Sequence, residues 1–230
     1  MYALAAHSRS IAHAFRTGTM STPDPKPTVI IVDDDVSIRE SLEPMLELAG
    51  WTIRSFDSAT AFLDWVVPDG PKCLLLDVSL PDLSGLDLQA LIADRRREMP
   101  IIFMTGYGDV PMTVRAMKAG AAEFLTKPLD EEVLLTAIER ALEASRIATD
   151  ELARIKALQA RYDTLSRREK EVLHLIAAGL LNKQVGGELG ISEITVKAHR
   201  GRVMEKMKAR SFADLVRMTE QLGGATHTPS

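Results

Sequence analysis

Short apolar segments alternate with amphipathic ones along residues 28–126, a pattern typical of strands that alternate with helices. Five segments are rich in β-branched or large apolar side chains, and they predict strands at 28–32, 51–56, 72–77, 101–105 and 123–126. The stretches between them carry apolar residues at helical spacing, which predicts helices at 36–49, 59–67, 86–97 and 110–118. This alternation predicts an α/β domain with a doubly wound sheet of five parallel strands.

The segment from Lys72 to Asp77 carries the most information about function. It is an apolar run that ends in one carboxylate, and loop-forming residues follow it at 78–85. A run this short and this apolar is typical of a strand that is buried on both faces of a parallel sheet. Asp77 is therefore expected at the carboxyl end of a central strand, where open α/β sheets place their sites.

Four more polar residues follow or end the other predicted strands. Asp33 and Asp34 come after 28–32, Thr105 ends 101–105, and Lys127 follows 123–126. Three carboxylates at one sheet edge repel each other, and a hard cation such as Mg²⁺ would compensate them. A lysine and a hydroxyl beside them suit a phosphoryl group, with Asp77 as the nucleophile. Any one of these residues is explained by strand capping, but the five together favour a site.

Residues 129–178 contain neither glycine nor proline, which predicts long helical structure. Two interpretations stay open: an amphipathic last helix of the first domain followed by a polar helical linker, or a helix that extends further and pairs with a second copy of itself. The heptad register that supports pairing consists of Leu134, Ile138, Ala141, Ala148, Leu152, Ile155 and Tyr162, with Ser145 and Gln159 in its gaps.

The C-terminal part predicts a small all-α domain. Ser166 and Glu169 have the spacing of a capping box, and a helix to Ile176 follows them. Gly179 and Gly190 separate this helix from two more, at 182–189 and 193–207, and a fourth is predicted at 211–221. Short helices joined by a tight glycine turn are typical of a helix-turn-helix, and the third of them is basic.

The distribution of charge supports two domains with different partners. The net charge is −4, but residues 21–150 carry −11 and residues 151–230 carry +5. An acidic half and a basic half indicate a cation-binding module joined to a polyanion-binding one, although two solvated surfaces of different composition would give the same count. One cysteine, Cys73, lies in a predicted strand, and no apolar run is long enough to span a bilayer. These features fit a cytoplasmic protein.

Residues 28–145 resemble the receiver domain of response regulators. The resemblance implies a flavodoxin-like sheet and transfer of a phosphoryl group from a sensor histidine kinase to Asp77. It also implies that Asp34, Asp77 and the Ser79 carbonyl hold Mg²⁺, with Asp33 in the outer shell. The residues that carry the resemblance are Asp33, Asp34, Asp77, Thr105, Lys127 and Pro128.

The family's switch pair would be Thr105 and Phe124, and a cis peptide is expected before Pro128. Phe124 has no phenolic hydroxyl, so switching would depend on burial of its ring alone. Taken singly, Phe124 is equally well explained as a core residue.

Residues 163–222 resemble the LuxR-type helix-turn-helix, and the two halves together resemble the NarL/FixJ family. Segments 106–112 and 203–209 resemble the FixJ subgroup in particular. The resemblance implies a transcription factor that dimerises on phosphorylation and binds promoter DNA, with RNA polymerase as a further expected partner. The motif residues are 165–169, Gly179, Asn182, Lys183, Ile191, Ser192, 195–197 and His199.

The third helix of this domain is expected to enter the major groove. Its buried face would hold Val196, Val203 and Met207, and His199 is expected to be internal and hydrogen-bonded rather than a base contact. Lys197, Ala198 and Gly201 are left for the groove, whereas the predicted phosphate contacts are Lys183, Arg200 and Arg202. Ser192 and Thr195 complete the predicted DNA-binding set.

Gly186 and Gly187 occupy the middle of the second helix of this domain. Two glycines there destabilise a helix by roughly 1–2 kcal/mol relative to alanines. We therefore expect this helix to be soft until DNA is bound.

The remaining segments complete the domain division. Residues 1–27 are expected to be a disordered extension, unless translation starts at Met20, and they lack the apolar centre of a secretory signal. Residues 146–162 are expected to form a helical linker, the DNA-binding domain to span 163–224, and residues 225–230 to form a disordered tail.

Two other functions have to be weighed against a non-enzymatic regulator. A Mg²⁺-dependent phosphatase with an aspartyl nucleophile would require an acid two residues after Asp77, where Ser79 stands. A DNA-binding protein that no longer uses its phosphorylation site would not be expected to keep all five residues of the acidic site.

Overall fold

The computed structural model describes residues 26–95, 97–106 and 110–225. Of the predicted N-terminal extension 1–27 only Lys26 and Pro27 are described, and of the predicted tail 225–230 only Ala225, which ends the last helix. Residues 107–109 of the segment 106–112 lie outside the described residues. The strands are β1 Thr28–Val32, β2 Thr52–Phe56, β3 Lys72–Asp77, β4 Ile101–Thr105 and β5 Glu123–Thr126. The helices are α1 Val36–Leu48, α2 Ala59–Leu63, α3 Gly85–Leu91, α4 Val110–Lys118, α5 Glu131–Asp163, α6 Arg167–Ala177, α7 Asn182–Leu189, α8 Glu193–Met207 and α9 Phe212–Ala225.

The five strands form one parallel sheet in the order β2-β1-β3-β4-β5. This is the flavodoxin-like order, and it confirms the predicted fold class. All six residues of β3 are buried, because helices cover both faces of the sheet. Asp77 therefore ends the central strand, with β1 on one side and β4 on the other.

Side chains that alternate along β3 contribute to two separate cores. Leu74 and Leu76 pack on one face with residues of α2, α3 and α4. Cys73 and Leu75 pack on the other face with residues of α1 and α5. Burial raises the pKa of the Cys73 thiol, in keeping with its role as a small core residue.

Two predicted helices are shorter than expected. The predicted helix 59–67 ends at Leu63, and Trp65 and Val67 pack against the core from an irregular segment. Pro68 follows this segment, and a proline disfavours helical geometry in the residue before it. The helix predicted at 86–97 ends at Leu91 and is followed by a 3₁₀ turn at Ala93–Arg95.

Helix α5 is continuous over 33 residues and belongs to both domains. Its first half contributes Leu134, Ile138 and Ala141 to the core of the first domain, and Leu158 near its end belongs to the C-terminal core. The N-terminal half of the predicted heptad register is therefore buried against the sheet and cannot pair with a second copy. No helix in the described part of the chain is both long and apolar enough to cross a membrane.

Helices α6 to α9 enclose a core together with the end of α5. The predicted capping box begins α6: the Ser166 N–H donates to Glu169 Oε2 at 2.8 Å, and the Glu169 N–H donates to Ser166 Oγ at 3.3 Å. Glu169 is buried and also accepts from Lys206 Nζ at 2.6 Å. This hydrogen bond lowers the pKa of Glu169, with its Ser166 N–H contact adding to the effect against the opposing influence of burial.

The two glycines of α7 have different surroundings. A Cβ atom on Gly186 would lie 2.8 Å from the Ile191 carbonyl oxygen, whereas one on Gly187 would meet nothing within 4 Å. The Gly186 carbonyl also accepts from the Ile191 N–H at 3.0 Å. Gly186 is thus explained by close packing of α7 on the turn before α8, and only Gly187 is a glycine without a packing reason.

Candidate functional site

Three of the predicted site residues meet at the carboxyl edge of the sheet. Asp33 follows β1, Asp77 ends β3 and Lys127 follows β5. The ammonium of Lys127 donates to Asp33 Oδ2 and to Asp77 Oδ1, both at 2.7 Å. The strand-end positions that the sequence indicated are therefore in direct contact in the folded chain.

Asp77 is held from both sides. It is 4% exposed. Its Oδ2 atom accepts from the Ser79 N–H at 2.6 Å, while Oδ1 accepts from Lys127. Two donors therefore hold the carboxylate in position, one on each oxygen.

Gly85, the first residue of α3, approaches Asp77 closely and was not identified from the sequence. A Cβ on Gly85 would lie 2.3 Å from the Asp77 carbonyl oxygen, which no other residue could accommodate without backbone movement. The Gly85 N–H donates to the Val78 carbonyl at 3.0 Å. The only signal in the sequence was a serine–glycine pair at the end of a predicted loop.

The surroundings of Asp33 and Lys127 shift both pKa values upward. Asp33 is fully buried, and this burial raises its pKa, with hydrogen bonds from Lys127 and the Asp35 N–H offsetting the effect only in part. Burial is also the largest single influence on Lys127 and lowers its pKa, but hydrogen bonds to Asp33 and Asp77 outweigh it and the pKa is raised. Lys127 is accordingly a charged group between two carboxylates.

The other predicted residues of this site lie around the same edge. Asp34 is exposed, and its carboxylate makes no hydrogen bond or ion pair with any residue that the structure describes. Thr105 is buried at the end of β4, and its carbonyl accepts from the Lys127 N–H at 2.7 Å. Phe124 is half-buried, with its ring 6.1 Å from that of Phe103. The peptide bond before Pro128 is cis, as the resemblance implied.

The donor set suits Mg²⁺ chemically. Carboxylate and carbonyl oxygens are the ligands that this ion prefers, and Asp33, Asp34 and Asp77 stand at one sheet edge. Within residues 26–95, 97–106 and 110–225, however, no three acidic, histidine or cysteine side chains are already arranged as a metal site. The Lys127 ammonium supplies the positive charge between Asp33 and Asp77.

Asp82 fixes the loop that follows Asp77, and sequence reasoning missed it. Its carboxylate accepts from the N–H groups of Ala59 and Thr60, at 3.2 and 2.8 Å, and from the Thr60 hydroxyl at 2.7 Å. The Thr60 contacts are the main cause that lowers the pKa of Asp82 to about 2. The loop is thereby attached to the first turn of α2.

Helix α8 has the two faces that the sequence predicted. Val196, Val203 and Met207 are fully buried. The residues expected to face the major groove, Lys197, Ala198 and Gly201, are all exposed. Lys197 forms an ion pair with Glu193 at 3.4 Å within the helix.

The side chains predicted to contact phosphates differ in their exposure and in their contacts within the protein. Lys183 and Arg202 are exposed, but Arg200 is half-buried. The Arg200 guanidinium lies 5.0 Å from the centre of the Phe212 ring and donates to Asn182 Oδ1 at 3.4 Å. Arg200 therefore also packs α8 against its neighbours.

Ser192 and Thr195 cap the first turn of α8. Ser192 Oγ accepts from the Thr195 N–H at 3.1 Å, and the two hydroxyls share a hydrogen bond of 2.8 Å. His199 is half-buried as predicted, but its buried Nδ1 atom has no partner in the described part of the chain. The hydrogen bond expected for His199 is therefore absent at that atom.

Comparison with known proteins agrees with both halves of the chain. Residues 29–139 match the model of the response regulator receiver domain, and residues 163–219 match that of bacterial regulatory proteins of the luxR family.

Relatives match along most of their length. Nodulation protein W of Bradyrhizobium diazoefficiens is 50% identical over 88% of this chain and 90% of its own length. The transcriptional regulatory protein FixJ of Rhizobium meliloti is 44% identical over 83% of this chain and 94% of its own. The structure of the response regulator StyR is 46% identical, with a TM-score of 0.77 over 86% of this chain and all of that one.

The acidic site lies within the receiver match and the helix-turn-helix within the luxR-family match. The relatives also cover both domains of this chain. The chain belongs to the NarL/FixJ family of two-component response regulators, in which a receiver domain is joined to a LuxR-type DNA-binding domain.

Proposed function

We propose that Asp77 accepts a phosphoryl group from a sensor histidine kinase and that this controls dimerisation and DNA binding. The contact of Lys127 with both Asp33 and Asp77, at 2.7 Å each, is the observation that carries the proposal. A charged lysine beside a fixed carboxylate is suited to the charge of an incoming phosphoryl group.

The reaction needs little from the protein besides position and charge. An oxygen of Asp77 attacks the phosphorus of a phosphohistidine, the phosphorus–nitrogen bond breaks, and its electron pair returns to the imidazole. The Ser79 N–H and Lys127 hold the carboxylate during the attack. Lys127 then pairs with a phosphoryl oxygen.

Mg²⁺ is the expected cofactor, held by Asp34, Asp77 and the Ser79 carbonyl, with Asp33 in its outer shell. When bound, it neutralises phosphoryl oxygens. Exposed Asp34 is free to serve as a ligand without breaking an existing contact among the described residues.

The response of the receiver is expected to involve Thr105 and Phe124. The Thr105 hydroxyl would donate to a phosphoryl oxygen, and the Phe124 ring would move deeper into the core. The Phe124 ring is only half-buried beside Phe103, so it can still become more deeply buried.

The output is binding of paired DNA half-sites by two copies of the C-terminal domain, with RNA polymerase as a further partner. Exposed Lys183 and Arg202 would contact phosphates, while Lys197, Ala198 and Gly201 face the bases. Ser192 and Thr195 would act mainly by fixing the helix N-terminus. We assign residues 28–145 to the receiver and 163–224 to the DNA-binding domain, with 146–162 as the linker within α5.

The test is the mass of the full-length protein in solution, with and without beryllofluoride and Mg²⁺. Beryllofluoride mimics a phosphoryl group on a carboxylate, so the wild type is expected to change from monomer to dimer and Asp77→Asn to remain monomeric. Asp64→Asn, which changes an exposed carboxylate outside the acidic site, is the matched control and should still dimerise. A dimer that ignores beryllofluoride in the wild type would contradict control through Asp77.

The protein is proposed to act as a regulator and not as a phosphatase, since Ser79 stands where such an enzyme would need an acid. Mg²⁺-dependent turnover of small phosphate esters is expected to be absent. Sustained turnover that Asp77→Asn abolishes would favour the enzyme instead.

A further inference from the structure

Ile194 is the most exposed large apolar side chain in the described part of the C-terminal domain. It lies in the first turn of α8 with 80% of its surface open to solvent. A single exposed apolar residue ordinarily needs no explanation. The position of Ile194 does, because the N-terminal turn of a recognition helix is the part that contacts base edges.

Ile194 belongs to one stripe along the outside of α8. Residues three, four and seven positions apart share a helix face. The stripe is formed by Ile194, Lys197, Ala198 and Gly201, all of them exposed. The buried residues Val196, Val203 and Met207 lie on the opposite side of the helix. We call these four residues the outer stripe.

Half of the outer stripe is small. Ala198 projects only a methyl group, and a Cβ on Gly201 would meet nothing within 4 Å. The helix backbone can therefore approach a surface closely, with Ile194 and Lys197 as its projecting side chains. Lys197 is engaged with Glu193 at 3.4 Å, whereas Ile194 has no polar atom on its side chain.

The first turn presents Ile194 in a fixed orientation. Ser192 Oγ accepts from the Thr195 N–H at 3.1 Å and so caps the N-terminus of α8. Ile194 lies between these two residues. A β-branched side chain in a helix has essentially one χ1 rotamer, so little side-chain freedom is lost on contact.

The major groove offers one kind of apolar group on a base edge, the C5 methyl of thymine. We propose that Ile194 is a specificity-determining residue that packs against a thymine methyl group in each half-site. The inference rests on the proposed binding of DNA through α8, and it adds the chemistry of one base position. Exposed Lys183 and Arg202 would supply the phosphate contacts, which do not discriminate between bases.

The test begins with selection from a pool of randomised DNA duplexes by the full-length protein with beryllofluoride and Mg²⁺. In the selected duplex, each thymine is replaced in turn by deoxyuridine, which removes the methyl group and keeps the hydrogen-bonding groups. For the wild type, we expect one thymine position in each half-site to be sensitive. A single replacement at such a position should lower the affinity about fourfold, the equivalent of one buried methyl group.

The variants identify the side chain responsible. Ile194→Ala should abolish the effect of deoxyuridine at that position, and Ile194→Val should retain most of it. Lys183→Ala is the control: it should weaken binding to both duplexes by the same factor and leave their ratio unchanged.

Two outcomes would overturn the inference in distinguishable ways. An enriched sequence in which deoxyuridine has no effect, or the same effect on wild type and Ile194→Ala, would remove Ile194 from recognition and leave DNA binding intact. Failure to enrich any sequence would overturn the proposed DNA recognition together with the inference.

Discussion

Asp33 and Asp34 are adjacent carboxylates with opposite surroundings. Asp33 is fully buried against Lys127, and burial raises its pKa above the ordinary value of 3.8. Asp34 is exposed to solvent. The folded state therefore holds a proton on Asp33 more tightly than the unfolded chain does, and the charged form of Asp33 opposes folding.

Asp33→Asn is expected to stabilise the metal-free receiver at pH 7. The folded-state pKa lies above the unfolded one, so the stability contributed by Asp33 is full below pH 3.8 and is lost as pH rises through the folded value. The variant should be more stable than the wild type at pH 7, and the difference should vanish below about pH 4, near the ordinary value of the carboxyl group. Urea unfolding in EDTA, followed by fluorescence of Trp51 and Trp65, measures it.

Asp34→Asn is the matched control and should leave the unfolding free energy nearly unchanged, because its side chain is exposed. A less stable Asp33→Asn at pH 7 would mean that the hydrogen bond and ion pair with Lys127 outweigh the effect of burial.

At the scale of residues, the sequence predicted the meeting of Asp33, Asp77 and Lys127, because parallel strands end at one edge. It did not predict Gly85 or Asp82. Gly85 is required by the geometry of the loop before it, since a Cβ there would lie 2.3 Å from the Asp77 carbonyl oxygen. Asp82 accepts from the Thr60 N–H in the first turn of α2, which is distant in sequence. No local pattern encodes such contacts.

At the scale of elements, the glycine pair of α7 gives a second prediction. Gly186→Ala should destabilise the C-terminal domain by about 1–3 kcal/mol, since its Cβ would lie 2.8 Å from the Ile191 carbonyl oxygen. Gly187→Ala should stabilise it by about 0.5–1 kcal/mol, since the new methyl meets nothing and glycine is a poor helix former.

The two tryptophans allow this effect to be assigned to its domain. Trp51 and Trp65 both belong to the receiver, so they report the unfolding of that domain. The midpoint of the transition followed by tryptophan fluorescence should therefore lie at the same urea concentration in both variants. The transition followed by circular dichroism should shift, in opposite directions. A destabilising Gly187→Ala would contradict the open space beside that residue, and amide exchange along α7 would test the expected softness of this helix.

Element boundaries were predictable where local chemistry decides them. The capping box of Ser166 and Glu169 and the turn at Gly190 stand where the sequence indicated. Helix α2 is shorter than predicted because Trp65 and Val67 reach the core from an irregular segment that follows the helix. Packing of this kind involves partners far along the chain, so periodicity alone could not define it.

At the scale of the molecule, α5 joins two cores that share no buried side chain of that helix. Its buried residues run from Leu134 to Ser145, and the next one is Leu158. The half-exposed positions of the heptad register, Ala148, Leu152 and Ile155, lie between them. The sequence left a linker and a self-pairing helix open, because one spacing of apolar residues serves both.

Ser145 fixes α5 to the sheet at the end of the receiver core. It is fully buried, its Oγ accepts from the Lys72 N–H at 2.9 Å, and it donates to the Glu98 carbonyl. The same side chain therefore satisfies one donor at the start of β3 and one acceptor before β4. Thr149, one turn further along, has a buried hydroxyl with no partner among the described residues.

Ser145→Ala is expected to destabilise the receiver by about 1–3 kcal/mol, because the buried Lys72 N–H and the part-buried Glu98 carbonyl lose their partner. Thr149→Val removes an unpaired hydroxyl at nearly constant volume and should be neutral or stabilising. Since no residue of α5 between Ser145 and Leu158 is buried as a whole, the loss should appear in tryptophan-detected urea unfolding and leave the unfolding of the C-terminal helices unchanged. A parallel shift of both transitions would mean instead that α5 couples the two domains into one cooperative unit.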